Sequence, residues 1–368
     1  MMTNSIHERL YRTDLASFTK FAFHELSPQY DLSTSWPVDV MADALQGCLD
    51  RGTNRLILNA PPRSLKSHCA AIAMVVFALG WDPTLKITVV AGTRALAVEL
   101  QRRALALMRT PRCRALFPHL RPTVTPGEIV LPHGGGILYR AVGQSLIGRG
   151  ADLIVIDDPI APHRAQDNAE REGINAWYDA EIVPRLNDKA GGVIVLVMQR
   201  VHEDDLTAHV RKSGVWTEVV LPAIALADEV WPLHRRRTVM RRKGEPLLPD
   251  REGKETLIAI LREIDAYNFR AQYLQQPSAA PGLQRVGLFW DPRPPGWQPG
   301  MPTGGGAFRK VREINFILNE VFGMGEPPPY GGASPYSDAE WEAAAILQQR
   351  RLVAEAKGDR SRHDATGH

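Results

Sequence analysis

Apolar side chains in the N-terminal part of the chain, residues 1–54, recur at the spacing of an α-helix. In the stretch WPVDVMADALQGCLDRG, the side chains of Val38, Met41, Leu45 and Leu49 fall on one helical face. We therefore predict a helical N-terminal segment over residues 1–54.

From Arg55 onward the pattern changes to short apolar runs, each followed by a stretch with helical spacing. The main apolar runs are RLILNA, KITVVAG, GGILYRAV, ADLIVIDD and GGVIVLVMQ. Near-continuous apolar strands that alternate with helices are typical of a parallel sheet covered on both faces. The pattern predicts an α/β domain over residues 55–277.

The composition shifts near Leu221. The segment LPAIALADEVWPLHRRRTVMRRKGEPLLPD is irregular and basic, and helical spacing returns in ETLIAILREIDAYNFRAQYLQQP. Residues 278–306 are rich in Pro and Gly, which predicts a linker. Residues 307–368 predict a short tail with helices around 309–322 and 337–357.

The composition predicts a soluble, intracellular protein. The 368 residues are 44% hydrophobic and 23% charged, and a net charge of +3 is too small to indicate a partner. The three cysteines lack the spacing of a zinc site or a disulfide framework, which fits a reducing compartment. There is no signal-peptide pattern, and the longest apolar segment, residues 69–81, is too short to span a bilayer. We expect a cytoplasmic protein without membrane contact.

The stretch LILNAPPRSLKSH has the layout of a phosphate-binding loop between a strand and a helix. Lys66 is placed to reach terminal phosphates, and the Ser67 hydroxyl is placed to bind Mg²⁺. The loop backbone that would surround the phosphates of ATP consists of Ala60, Pro61, Pro62, Arg63, Ser64 and Leu65. Ala60 and Leu65 stand where such a loop usually has glycine. The alternative is an exposed Lys-Ser pair that opens a helix.

The run ADLIVIDDPI ends in two carboxylates, Asp157 and Asp158. A buried strand that ends in an acid pair suits a Walker B motif. Asp157 would then support Mg²⁺ through water, and Asp158 would polarise the attacking water. The alternative is a helix N-cap at the strand end, for which a single Asp is enough.

A third apolar strand, in GGVIVLVMQRVHEDDL, ends at Gln199. A polar side chain at the tip of a strand beside a phosphate loop can sense the γ-phosphate and transmit its loss. The acids Glu203, Asp204 and Asp205 follow, either as a metal cluster or as complements to a helix dipole. We favour the helix-dipole interpretation for these three acids and a functional one for Gln199.

Four motifs together resemble the ATPase half of tailed-phage terminase large subunits: NAPPRSLKS, IGRGADLIVIDDPI, VIVLVMQRVHEDDL and NFRAQYLQQP. The resemblance covers about residues 20–285. In that family PPR-x-x-KS is a recurrent form of the loop, so Leu65 is a variant of it. The resemblance implies a RecA-like (ASCE) P-loop ATPase with a parallel-rich sheet, which uses ATP and Mg²⁺ to drive double-stranded DNA into a procapsid.

The resemblance also implies residue roles and partners. Arg63 resembles the loop arginine that contacts the γ-phosphate, and Asp158 stands where many relatives carry a glutamate. The implied partners are the portal ring of the procapsid, a small terminase subunit, and further copies of this chain in a ring docked at the procapsid vertex in the host cytoplasm.

Three further features have two interpretations each. Trp36 lies either near an adenine or in helix packing, and Arg149 is either an interface arginine or a solvated loop residue. The run RRRTVMRRK, residues 235–243, holds six cations that either contact DNA phosphates or form a solvated face.

Two other classes of function stay open, a helicase-like DNA-dependent ATPase and a non-catalytic prophage remnant that acts as a binding module. The acids after residue 285 do not end apolar strand-like runs, as a two-metal nuclease requires. We therefore expect no endonuclease activity from these residues.

Overall fold

The computed structural model describes residues 6–277 except 33 and 234–236, together with residues 317, 321 and 322. The chain divides into two compact units, Met1–Arg285 and Val286–His368. In the second unit the three described residues, Ile317, Val321 and Phe322, are helical and buried. The predicted linker, the rest of the predicted tail and the acids considered for a nuclease lie outside the described residues.

The N-terminal residues of the first unit form three helices, as the apolar spacing predicts: α1 (Ile6–Thr13), α2 (Leu15–Leu26) and α3 (Trp36–Leu49). The side chain of Asp14 accepts a hydrogen bond from the N–H of Ser17 and so caps α2. In α3 a proline occupies the first turn, where its missing N–H costs nothing.

A sheet of eight strands forms the centre of this unit, in the order β3-β4-β5-β2-β6-β7-β1-β8. The strands are β1 (Arg55–Asn59), β2 (Lys86–Ala91), β3 (Thr123–Thr125), β4 (Glu128–Val130), β5 (Gly136–Ala141), β6 (Leu153–Asp157), β7 (Val193–Met198) and β8 (Thr217–Val220). In this sheet β4 pairs antiparallel with both β3 and β5, and the other neighbouring strands are parallel. β7 lies between β1 and β6, in register with both. The predicted α/β class with a parallel-rich central sheet is confirmed.

Both faces of the sheet are covered, because β6 and β7 are apolar on both sides and bury every residue. One face packs against α2, α3, α4 (Val75–Trp81) and α5 (Arg94–Arg109), with α6 (Pro111–Leu116) after them. The other face packs against α7 (Asn168–Trp177) and α8 (Leu206–Arg211). Within the described part of the chain, no helix is long and apolar enough to cross a membrane.

The segment after β8 is more regular than its sequence indicates. Residues predicted as irregular form an antiparallel pair, β9 (Glu229–Leu233) and β10 (Arg237–Arg241), so that prediction is wrong there. Pro232 and the dense arginines hide the alternation of a strand. Two helices follow, α9 (Lys254–Glu263) and α10 (Ala266–Gln272), where helical spacing predicts them.

Candidate functional site

The predicted phosphate loop leaves β1 at the carboxyl edge of the parallel strands, where ligands bind in open α/β sheets. Hydrogen bonds, mainly to the end of β7, hold the first residues of the loop. The Asn59 side chain donates to the Met198 carbonyl oxygen at 3.1 Å and to the Thr207 hydroxyl at 3.2 Å. The Ala60 N–H also donates to the Met198 carbonyl oxygen, so the loop starts from a rigid, buried position.

The loop turns through an internal hydrogen bond and two left-handed residues. The Ser64 hydroxyl donates to the Pro61 carbonyl oxygen at 2.8 Å, and Ser64 is buried. Arg63 and Leu65 have φ of 62° and 68°. Such values are uncommon outside glycine, which explains why glycine is the usual residue at the position of Leu65. Here the leucine side chain packs against the core instead.

Lys66 and Ser67 join the loop to the acid pair. The buried Lys66 ammonium lies 3.1 Å from Asp158 Oδ2. The Ser67 hydroxyl donates to Asp157 Oδ1 at 2.9 Å. The structure therefore brings together two pairs of predicted site residues. Lys66 and Ser67 form one pair, and Asp157 and Asp158 the other, about 90 positions later in the sequence.

The helix that follows the loop starts as a π-helix, His68–Met74, before α4 continues it. π-Helical turns inside helices are rare and are frequent at functional sites. His68 Nε2 lies 3.1 Å from the Thr19 carbonyl oxygen, which ties this helix to α2. Burial lowers the pKa of His68 to about 4, so the ring is neutral near pH 7.

Asp157 is the last residue of β6 and is fully buried. Burial, followed by the negative charge of Asp158, raises the pKa of Asp157 to about 7, while Lys66 and the Ser67 hydrogen bond act in the opposite direction. Its Oδ2 atom is buried without a hydrogen-bond partner among the described residues. The next helix, α7, is capped by Asp167, so neither Asp157 nor Asp158 serves as its N-cap.

Asp158 leaves the strand with φ of 43°, another left-handed residue. Its N–H donates to the Val197 carbonyl oxygen, and its Oδ1 accepts from the N–H of Gln199 at 3.1 Å. Gly92 makes room for this turn, because a Cβ at residue 92 would lie 2.2 Å from the Asp158 carbonyl oxygen. The side chain is thus placed between Lys66 and the tip of β7.

Gln199 touches the acid pair through its main chain. Its side-chain Nε2 lies 3.5 Å from Gln272 Oε1 in α10. The following N–H, of Arg200, donates to Gln275 Oε1 at 2.9 Å. Two residues of the motif NFRAQYLQQP therefore contact the tip of β7.

Asp205, the last acid of the run after β7, has a structural role at the start of a helix, in line with the helix-dipole interpretation. The Asp205 side chain caps α8 by accepting from the N–H of Ala208. It also forms a buried ion pair with Arg200, at 2.9 Å. Glu203 and Asp204 are exposed.

Sequence reasoning missed Arg251, which precedes α9. Its Nη2 atom donates to the Arg63 carbonyl oxygen at 2.6 Å, across 188 residues of chain. No spacing or motif in the sequence marks this contact.

Three other residues with a possible functional contact, Arg241, Trp36 and Arg149, pack or pair within the protein. Arg241 is buried, donates to the carbonyl oxygens of Pro222 and Glu245, and lies 5.7 Å from the Trp36 ring centroid. It is therefore not free to contact DNA, and Trp36 is engaged in packing. Arg149 pairs with Glu128 at 2.8 Å. Arg235 and Arg236 lie outside the described residues.

The donor set fits Mg²⁺ in part. A hydroxyl and a carboxylate with an unpartnered buried oxygen, on Ser67 and Asp157, are the hard oxygen ligands that Mg²⁺ takes. Among the described residues, no group of three or more His, Cys, Asp and Glu side chains is arranged to hold a metal. A cation here would therefore take its remaining ligands from phosphate and water, as Mg²⁺ usually does.

Comparison with solved structures finds similar folds in phage terminases. The HK97 bacteriophage large terminase is 17% identical with a TM-score of 0.35, over 53% of this chain and 40% of that one. A mutant ATPase domain of the Thermus phage P74-26 large terminase is 14% identical with a TM-score of 0.41, over 64% of this chain and 93% of that one.

A third similar structure is the large terminase of a thermophilic bacteriophage in complex with ADP, 10% identical with a TM-score of 0.34. That match covers 62% of this chain and 52% of the other. The chain thus spans about half or less of the first and third of these structures. No protein-family model and no curated protein matches the chain.

Proposed function

We propose that the chain hydrolyses ATP and uses the reaction to package double-stranded DNA into a phage procapsid. The observation that carries the ATPase part is the meeting of Lys66 and Ser67 with Asp158 and Asp157 at the carboxyl edge of the sheet. A lysine, a hydroxyl and two acids in this arrangement are the parts that phosphoryl transfer needs, since its catalysis is mainly positioning and electrostatics.

Each residue has one task in this proposal. Lys66 binds the terminal phosphates, and the main chain from Ala60 to Leu65 surrounds them. Ser67 and Asp157 would hold Mg²⁺, partly through water, and the ion would supply positive charge beside the phosphate oxygens. Asp158 orients the attacking water, and Arg63 stabilises the charge of the transferred group.

Lys66 has to exchange partners in this scheme. Its ammonium lies 3.1 Å from Asp158, and a phosphate in the loop offers it a stronger anion. When Lys66 turns to the phosphate, Asp158 Oδ2 is released to accept a hydrogen bond from water. Asp158 Oδ1 keeps the N–H of Gln199, so the loss of the γ-phosphate is transmitted to the tip of β7.

The packaging part of the proposal rests on the four sequence motifs. The partners are double-stranded DNA, the portal ring, a small terminase subunit and further copies of the chain in a ring, in the cytoplasm of a bacterial host. A helicase would unwind DNA without binding a portal ring, and a non-catalytic remnant would not turn over ATP. No contact among the described residues favours either alternative.

The acid pair supplies the test. Asp158→Asn is expected to keep Mg²⁺-ATP binding and to lower kcat by roughly 10²- to 10⁴-fold, the range for loss of a general base. Asp157→Asn is expected to raise the Mg²⁺ concentration needed for half-maximal hydrolysis. Steady-state hydrolysis and nucleotide titrations with and without Mg²⁺ measure both, with the exposed Asp31→Asn as the control.

Stimulation of the parent protein by double-stranded DNA, and binding to a portal ring, test the packaging part. A parent protein that binds no nucleotide would refute the ATPase assignment. Equal loss of binding in both variants would mean that the acids act only on structure.

A further inference from the structure

The phosphate loop is held by a residue far from it in sequence. Arg251 donates from Nη2 to the Arg63 carbonyl oxygen at 2.6 Å. The same guanidinium nitrogen lies 3.0 Å from a carboxylate oxygen of its neighbour Glu252. Glu252 is mostly buried, so it fixes the direction in which Arg251 points.

Arg251 itself belongs to a turn with its own hydrogen bonds. Its N–H donates to the Leu248 carbonyl oxygen at 3.1 Å, and the Glu252 N–H donates to the same oxygen at 2.7 Å. Leu248 packs against the core. The contact with the loop therefore starts from a fixed backbone.

The loop needs such a contact at this residue. Arg63 is exposed and has φ of 62°, a conformation that persists in a non-glycine residue only when its surroundings impose it. Because the Arg63 side chain is in solvent, the direction it takes depends on the orientation of its main chain. The Arg251 hydrogen bond acts on that main chain directly.

We propose that Arg251 is a positioning residue that orients Arg63 toward the transferred phosphate group. This inference rests on the proposed ATPase function, in which Arg63 stabilises the transition state. Arg251 does not touch the nucleotide and acts through the carbonyl group of Arg63. Its effect is therefore on kcat, with little effect on nucleotide binding.

A double-mutant cycle tests this dependence. Arg251→Ala is expected to lower kcat by roughly 10- to 100-fold, as small displacements of catalytic groups do. Arg63→Ala is expected to lower it by about 10³-fold, the scale of an arginine finger. The double variant should equal Arg63→Ala alone, because Arg251 has nothing left to orient. Arg251→Lys, which keeps one donor, should recover part of the rate.

Arg262→Ala is the matched control, an exposed arginine in α9 close to Arg251 in sequence. It is expected to leave kcat unchanged. An Arg251→Ala variant with parental kcat would overturn the proposal. So would a double variant whose loss is the product of the two single losses, since Arg251 would then act independently of Arg63.

Amide hydrogen exchange gives a readout that needs no catalysis. The Ser64 N–H donates to the Pro61 carbonyl oxygen, and in Arg251→Ala its exchange should become at least about tenfold faster, while Arg262→Ala leaves it as in the parent. Unchanged exchange would overturn the proposal even if the parent hydrolyses ATP. A parent without ATPase activity would refute the proposed function and the catalytic role of Arg63, and with it this inference, whereas a failed cycle on an active parent would refute the inference alone.

Discussion

The loop after β1 and the loop after β7 lie at the same edge of the sheet but are held in different ways. In the loop after β7, Asp205 accepts hydrogen bonds from Arg200 Nε and from the N–H groups of Val201 and Ala208. Both members of the Arg200–Asp205 ion pair are buried. This loop is therefore held largely by its own side chains.

The loop after β1 instead pairs its polar groups with other segments of the chain. Lys66 and Ser67 pair with the two acids at the end of β6, and the Arg63 main chain is held by Arg251. Its two left-handed residues are not glycine. In the proposed function a ligand phosphate replaces the partner of Lys66, whereas Asp205 stays paired with Arg200 inside the protein. The loop after β1 is thus suited to exchange its polar partners, and the loop after β7 is suited to stay rigid.

Lys66→Ala removes the central group of the exchangeable loop, and it should have the largest effect. We expect ATP hydrolysis to fall by more than about 10³-fold and nucleotide binding to weaken, because electrostatic stabilisation dominates phosphoryl transfer. Folding should be preserved, since Asp158 is partly exposed and can be solvated without Lys66. Hydrolysis assays, nucleotide titration and thermal unfolding measure the three effects. Activity within tenfold of the parent would contradict the assignment of the loop.

Asp205→Asn tests the rigid loop and should act on stability. Loss of one member of a buried ion pair leaves Arg200 without its counter-charge, which costs about 3–5 kcal/mol of unfolding free energy. The control is Glu170→Gln, which breaks the exposed pair with Arg164 and should cost less than about 1 kcal/mol. Denaturant unfolding measures both. Similar losses in the two variants would mean that the loop after β7 is not held by this pair.

Leu65→Gly should have the smallest effect of the three. The glycine variant should be more stable than the alanine variant, which is the reverse of the order inside a regular helix. At a left-handed residue, alanine keeps the Cβ that causes the strain, whereas glycine removes it. We expect Leu65→Gly to be about 1 kcal/mol more stable than Leu65→Ala, with hydrolysis retained. At Leu105, inside the regular helix α5, the order should be the usual one, with glycine the less stable. An alanine variant at residue 65 that is more stable than glycine would contradict the left-handed backbone.

The fold was predictable where the apolar pattern is continuous. The runs that became β1, β2, β5, β6 and β7 are each five or six residues long and almost wholly buried, so their sequence carries the signal directly. β9 and β10 were not predictable, since exposed arginines and a proline interrupt their alternation. The π-helix after the loop was not predictable either, because an apolar helix of either type has the same composition.

The candidate site was predictable to the extent that its residues lie at the ends of strands. The structure brings Lys66, Ser67, Asp157 and Asp158 together because parallel strands share a carboxyl edge. Arg251 and Gln275 could not be found in this way. Their contacts depend on how α9 and α10 pack, which the local sequence does not encode. Arg241 was considered for contact with DNA but is buried. A run of charges in the sequence gives no sign that one of its guanidinium groups is buried.

The 188-residue separation between Arg251 and Arg63 sets an order of events during synthesis. A chain that leaves the ribosome N-terminus first exposes the phosphate loop long before Arg251 exists. At roughly 5–20 residues per second, the interval is about 10 to 40 s. Throughout it, Arg63 has no anchor, and the Gln275 contact at the tip of β7 is also missing. If the proposed function holds, a nascent chain would not hydrolyse ATP at full rate until nearly all of the first unit has been translated.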